Sequence, residues 1–260
     1  VEAQSDYYYD AIYRLIEANG REHIGQVNSG AQDNWNDDWC RLSLQPNSPI
    51  QMRNYTQKYV YDSVGNILKM QHIAGTVGSW TRNYNYNRAN NQLTKTTVGS
   101  QSYNYTFNEH GSMLTMPHLP LIDWNFREEM QHISLGGGGD AWYVYDSAGK
   151  RIRKVIERAG GKTEERIYLG PYEIYRERNS SNTITHERET LHIMDDKQRI
   201  AMVDSRIKGN DGTDKQLIRY QYSNHLGTAC LELDKDAKII TYEEYHPYGT
   251  TAYQTTDDLR

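Results

Sequence analysis

Several residue patterns in this chain begin as catalytic or ligand-binding motifs, and each stops short of a working constellation. The run His186-Glu187-Arg188-Glu189-Thr190-Leu191-His192 starts like a zinc-peptidase helix, but that motif needs its second imidazole four residues after the first, where Thr190 stands. It reads as a solvated strand and turn. Gly136 to Gly139 is followed by Asp140 and lacks the Lys-Ser/Thr of a phosphate loop, so it reads as a hairpin tip; an anionic side chain there would repel phosphate. The adjacent acids Asp195-Asp196, Glu243-Glu244 and Asp257-Asp258 make poor acid–base pairs, because neighbours on a strand point to opposite faces. Asp211-Gly212-Thr213-Asp214 offers too few correctly spaced oxygens for calcium, and Ser205 and Ser223 sit in no nucleophile elbow. Cys40 and Cys230 form no CxxC pair and read as separate thiols in packed interior. Asn54-Tyr55-Thr56 and Asn104-Tyr105-Thr106 match glycosylation acceptors, a weak pattern. Rows of Tyr and Trp could stack on sugars, although sheet packing accounts for them more simply. These motifs imply no enzyme, no cofactor and no metal site.

What must position any functional group here is β-structure. The 260 residues include 22 Tyr against 2 Phe and 5 Trp, a bias that suits broad sheets wetted on one face and argues against disorder. Twenty-nine basic and 34 acidic side chains give a net charge of −5 with the signs mixed, which excludes the electrostatic footprint of a nucleic-acid binder. No apolar run approaches the roughly 18–20 residues of a membrane span, so no direct membrane insertion is expected. The sequence opens at Val1 without Met or a charged-then-apolar leader and is expected to be a piece of a longer polypeptide.

One unit recurs. Tyr59-Val60-Tyr61-Asp62-Ser63-Val64-Gly65-Asn66 returns as Tyr143-Val144-Tyr145-Asp146-Ser147-Ala148-Gly149-Lys150. Degraded copies lie between. Tyr84-Asn85-Tyr86-Asn87 leads to Asn90, Tyr105-Thr106-Phe107-Asn108 leads to Gly111, and Trp124-Asn125-Phe126-Arg127 keeps an aromatic pair. Upstream, Tyr7-Tyr8-Tyr9-Asp10 precedes Tyr13-Arg14-Leu15. With the second aromatic of each unit as anchor, positions 61, 86, 107, 126 and 145 are separated by 25, 21, 19 and 19 residues. Aromatics at i and i+2 share a strand face, the Asp caps backbone N–H groups two residues on, and Gly or Asn three residues after it takes the positive φ that closes the turn. A second strand follows at once, Asn66 to Met70 or Lys150 to Val155, so each unit is a β-hairpin. Lone hairpins cannot bury a face, so neighbours must stack into a continuous sheet. The stretch from Tyr9 to Arg21 likewise reads as hairpin plus turn rather than helix.

These Tyr-x-Tyr-Asp-x-x-Gly units resemble YD, or RHS, repeats. The segment from Tyr220 through His225-Leu226-Gly227 to Tyr245-His246-Pro247-Tyr248-Gly249 looks like the approach to the RHS-associated core. The opening Tyr9 to Glu22, and the linker from Trp39 through Pro46, are similar to stretches in the C component of bacterial insecticidal toxin complexes. The resemblance implies an all-β fold of antiparallel β-hairpin repeats forming a large curved sheet, part of a spiral shell. It implies residues 1–205 as the repeat sheet and 206–260 as the transition into the core. It also implies a secreted bacterial protein whose shell encapsulates and delivers a C-terminal effector polypeptide, partnered by the rest of the parent shell or companion toxin-complex subunits. The alternative is a cell-surface YD-repeat adhesion or carbohydrate-binding protein. The family's self-cleaving aspartates belong to a segment expected beyond Arg260, so no catalysis carries over. What carries over is the structural hairpin motif: Tyr59, Tyr61, Asp62, Gly65, Tyr84, Tyr86, Tyr105, Phe107, Gly111, Tyr143, Tyr145, Asp146 and Gly149.

Overall fold

The computed structural model describes residues 1–25, 51–76, 78–196 and 198–256. Among them every regular element is a strand, and every strand pairing is antiparallel between chain neighbours. The reason is a single turn used repeatedly. At Asp62 the backbone N–H donates to Asn66 O (2.9 Å), and Gly65 N–H returns to Asp62 O (3.3 Å). The Asp62 carboxylate Oδ1 accepts from the N–H groups of Val64 (3.0 Å) and Asn66 (2.8 Å). The same pattern recurs at Asp146, where Oδ1 accepts from Ala148 and Lys150, both at 2.9 Å. It recurs again at Asp10, Asn108, Asn125, Asn179, Asn224 and Asp234. One side-chain oxygen thus satisfies two N–H groups that a tight reversal would leave unpaired, which fixes the reversal without tertiary help.

The chain divides into two compact units, one of Val1–Thr106 with Glu243–Thr256 and one of Phe107–Tyr242. A seven-stranded sheet runs in chain order through β1 (Asp6–Tyr9), β2 (Leu15–His23), β3 (Met52–Tyr61), β4 (Ile67–Ile73), β5 (Trp80–Tyr86), β6 (Leu93–Val98) and β7 (Gln101–Asn104). A second sheet, of 12 strands, starts with β8 (Leu121–Trp124), β9 (Met130–Ser134), β10 (Asp140–Tyr145), β11 (Arg151–Glu157), β12 (Thr163–Leu169) and β13 (Tyr172–Arg178). It continues through β14 (Ile184–Asp195), β15 (Gln198–Lys208), β16 (Gln216–Ser223), β17 (Ala229–Leu233), β18 (Ile239–Tyr245) and β19 (Thr251–Thr256). Both sheets are meanders, as expected when most reversals are local, although residues 24–51 separate the paired strands β2 and β3.

The aromatic ahead of each turn explains why that position is so often Tyr. Tyr61 Oη–H donates to Leu15 O (2.7 Å), Tyr86 Oη–H to Ile67 O (3.1 Å) and Tyr145 Oη–H to Met130 O (2.8 Å). Trp124 Nε1–H reaches Met113 O in the same way (2.8 Å). In each case the acceptor is the first residue after the preceding hairpin's turn, so the ring is a strut between successive units. Phe107 holds the equivalent place without a donor, and bridges Met113 through its backbone. Of the first aromatics, Tyr59 is buried, Tyr84 Oη–H faces Met70 Sδ (3.8 Å), Tyr105 Oη meets Thr96 Oγ1 (2.9 Å) and Tyr143 lies under Arg151. Between them Val60 and Val144 face outward, giving the period-2 pattern.

Three expectations need correction. Phe126 is no anchor: the residue ahead of the turn is Trp124, and Phe126 stands inside the reversal, 95% exposed. After Tyr86 the loop is one residue longer, so Asn91 and not Asn90 takes the positive φ, at 60°. Cys230 is half-buried on β17, with Sγ–H near Thr228 O (3.3 Å), rather than in a packed interior. Cys40 and Asp257-Asp258 lie outside the described residues.

The two units have different interiors. In the second, Ile122, Ile133, Ala141 and Ile156 stand directly opposite one another across four strands and make an apolar stripe, extended by Met116, Leu119 and Tyr143. Farther along, the same sheet carries cross-strand ion pairs, Arg153 with Glu165, Arg176 with Glu187 and Arg188 with Asp204; Arg188 also pairs with Asp211 between β15 and β16. In the first unit the buried set is mostly polar and aromatic: Glu22, His23, Tyr55, Gln57, Tyr59, His72 and Thr96.

Candidate functional site

The polar interior of the first unit converges on one carboxylate. Along β2 the inward positions are Ala18, Gly20 and Glu22, and along β3 they are Tyr55, Gln57 and Tyr59. The register sets Glu22 opposite Arg53, Gly20 opposite Tyr55, Gln57 opposite His72, and His72 opposite Trp80. Gly20 is required: a Cβ there would come within 2.7 Å of Tyr55 Oη and 2.9 Å of its ring. The Tyr55 ring therefore lies over β2 and against His72 (centroids 5.3 Å apart), which stacks in turn on Trp80 (5.3 Å).

The last member comes from far along the chain. Tyr245-His246-Pro247-Tyr248-Gly249 forms the recurrent turn once more, with His246 N–H to Thr250 O at 2.8 Å and Gly249 N–H to His246 O at 2.9 Å. His takes the place that Asp or Asn holds elsewhere, and its ring lies edge-on to Tyr55 at 4.8 Å.

Glu22 is completely buried, His72 is 3% exposed and His246 is 8% exposed. Glu22 Oε2 accepts from Nε2 of His72 and from Nε2 of His246, each at 3.0 Å. Its other oxygen, Oε1, is held by Arg53 at 2.6 Å. The far ring nitrogens are also engaged, His72 Nδ1 by the Gln57 amide (3.1 Å) and His246 Nδ1 by Thr250 Oγ1 (3.1 Å). Gln57 is in turn fixed by Tyr59, whose Oη–H donates to Gln57 Oε1 (2.5 Å). Burial alone would push the Glu22 carboxyl up, but hydrogen bonds from His246 and His72 outweigh it and hold it down to about 2. Burial pushes the hydroxyls of Tyr55 and Tyr59 up, so both keep their protons.

The weaker patterns do not assemble. His186 and His192 share the continuous strand β14, but His186 faces Asp211 and His192 faces Arg199. Burial would raise the Asp211 carboxyl, yet hydrogen bonds from Arg188 and Thr213 hold it well below the usual range, leaving an oxygen already claimed by cations. Glu243 and Glu244 do diverge: Glu243 accepts from Tyr245 Oη–H, and Glu244 pairs with Arg21. Gly136 to Gly139 closes the β9–β10 hairpin, with Leu135 N–H to Gly139 O at 2.9 Å.

Sequence reasoning missed Glu22, His72 and His246 altogether. The visible signal was a His standing where the turn pattern calls for Asp, together with charged or imidazole side chains at inward positions of β2 and β4.

No protein-family model matches the chain. Over 97% of its length it is 26% identical to toxin subunit YenC1 and to toxin subunit YenC2, both of Yersinia entomophaga. The chain spans about a quarter of those relatives, 26% of the first and 27% of the second. Among solved structures it is similar to the crystal structure of TcdB2-TccC3, with a TM-score of 0.79 and 27% identity over 97% of this chain and 12% of that one. It is also similar to the Photorhabdus luminescens Tc holotoxin pore, with a TM-score of 0.78 and 28% identity. The resemblance to YD/RHS-repeat toxin-complex subunits, read from the Tyr-Asp units, therefore holds in both sequence and fold.

Proposed function

We propose that this chain is a wall segment of an RHS-repeat toxin shell, which encapsulates a C-terminal effector polypeptide and delivers it. The observation that carries the reading is the match to TcdB2-TccC3 across 97% of this chain at a TM-score of 0.79. The architecture suits the role. Local turns and aromatic struts build a sheet one hairpin at a time, so a wall can be extended without altering its earlier part. On this reading the segment is a barrier without chemistry of its own. Residues 1–205 form wall, 206–260 lead into the RHS-associated core, and the parent is secreted from a bacterium. Its partners are the remaining shell, companion toxin-complex subunits and the enclosed effector.

The test is protease protection in the full parent polypeptide. The region downstream of the core should survive digestion while the shell is folded and be cut once the shell is opened by denaturant. Digestion of that region in the intact protein at the rate of a free polypeptide would contradict encapsulation and favour a surface adhesin.

A further inference from the structure

We propose that Glu22, His72 and His246 form a divalent-metal site of the zinc class, which clips the 243–256 segment onto β2 and β4 of the first unit. The three ligand atoms lie within 4.8 Å of one another, and all three residues are buried. Both imidazole Nε2 atoms are aimed at the same carboxylate oxygen, at 3.0 Å. Donors gathered round a zinc ion at 2.0–2.2 Å stand roughly 3.3 Å apart, so little closure is needed on the Glu22 side. Two imidazoles and one carboxylate suit zinc and its transition-metal neighbours, whereas calcium and magnesium call for oxygen donors.

The surroundings are those of a built site. Each ring has its far nitrogen held by a side chain, which sets the ring's orientation as in known metal centres. Arg53 occupies only Oε1 and leaves Oε2 for the metal. Tyr55 packs against both rings, stacked on His72 and edge-on to His246.

Loading requires a defined change of protons. With the Gln57 amide donating to His72 Nδ1, the His72 proton sits on Nε2. When metal binds Nε2, each ring keeps one proton, moved to Nδ1. Thr250 Oγ1 accepts it from His246. Gln57 turns over so that Oε1 accepts it from His72, and the Tyr59 hydroxyl then accepts from the Gln57 amide.

His246→Asn separates ligation from folding, because Asn caps the same turn at residues 108, 125, 179 and 224. The full chain, stripped with chelator, is titrated with Co2+ or Zn2+ alone. We expect one equivalent of Co2+ to give visible ligand-field bands, and Zn2+ to raise the melting temperature. Both effects should be lost in His246→Asn, with apparent affinity reduced at least about tenfold. Absence of both effects in the wild-type chain, or bands that persist in His246→Asn, would overturn the proposal. A readout that needs no variant is 15N NMR of the histidines. Zn2+ should move the His72 and His246 protons from Nε2 to Nδ1, and unchanged tautomers at saturating Zn2+ would overturn it equally.

Discussion

The turn-closing position offers a test in which substitutions in opposite directions should have opposite signs. Gly65 holds φ at +101°, with nothing within 4 Å of the point where a Cβ would sit. Ala237 closes the same turn at +60°, as Tyr13, Glu128 and Asn182 do elsewhere near that value. Space is open at Gly65, so any cost of adding a side chain is backbone strain alone. An L-residue in the left-handed region costs about 1–2 kcal/mol, and losing a glycine recovers about 0.4–1 kcal/mol through the unfolded chain. Gly65→Ala should therefore destabilise by about 1 kcal/mol. Gly65→Val or Gly149→Val should cost about 1–3 kcal/mol, because branching resists positive φ more strongly. The reverse change, Ala237→Gly, should stabilise by about 0.5–1 kcal/mol, whereas Ala148→Gly, one residue before a turn-closing glycine, should not. In a thermal melt 1 kcal/mol corresponds to about 2–4 °C at this chain length. Equal effects of Ala237→Gly and Ala148→Gly, or an unchanged melt for Gly65→Val, would refute the turn argument.

Tyr145→Phe removes the strut to Met130 O and should cost about 1 kcal/mol by urea denaturation; no loss would mean that the hydroxyl carries nothing. Glu22→Ala leaves Arg53 without its carboxylate and both rings without their acceptor, and should cost about 3–5 kcal/mol; a loss below about 1 kcal/mol would contradict the buried network. The Asp234 carboxyl is held below its usual range by the Lys238 N–H against the opposing effect of burial. A lowered folded-state value means that its contribution is complete above the unfolded value near pH ~4 and is lost as pH falls through the lower folded one. Asp234→Asn, which caps the turn as Asn224 does, should leave neutral-pH stability nearly unchanged and weaken the acid dependence below pH ~4; parallel pH profiles for the two proteins would count against this.

The all-β hairpin architecture was legible because its determinants are local. Alternating aromatics, a capping Asp and a Gly lie within seven residues at Tyr59 to Gly65 and Tyr143 to Gly149. The copies at Asn179 and Asp234 escaped notice because no aromatic pair precedes them: Arg176 and Arg178 stand before the first and Leu231 and Leu233 before the second, while Ala237 also replaces the glycine of the second. Once a side-chain oxygen has tied two N–H groups, the turn holds positive φ near 60° in residues other than glycine. Phe126 misled for a related reason: spacing from an aromatic cannot tell a strand end from the turn beyond it. The cluster of Glu22, His72 and His246 depends instead on register. Its members meet because β2, β3 and β4 pair as they do and because a distant turn delivers a ring. No short window of sequence contains that information.

On the proposed reading these strands are part of a wall with something inside. Cryo-electron microscopy of the full parent polypeptide tests it most directly. β1 to β19 are expected to lie within a longer continuous spiral of antiparallel strands, with density for the downstream polypeptide on the enclosed side. A parent in which this segment stands as an isolated stalk, with both sheet faces open to solvent and the downstream region outside, would contradict it.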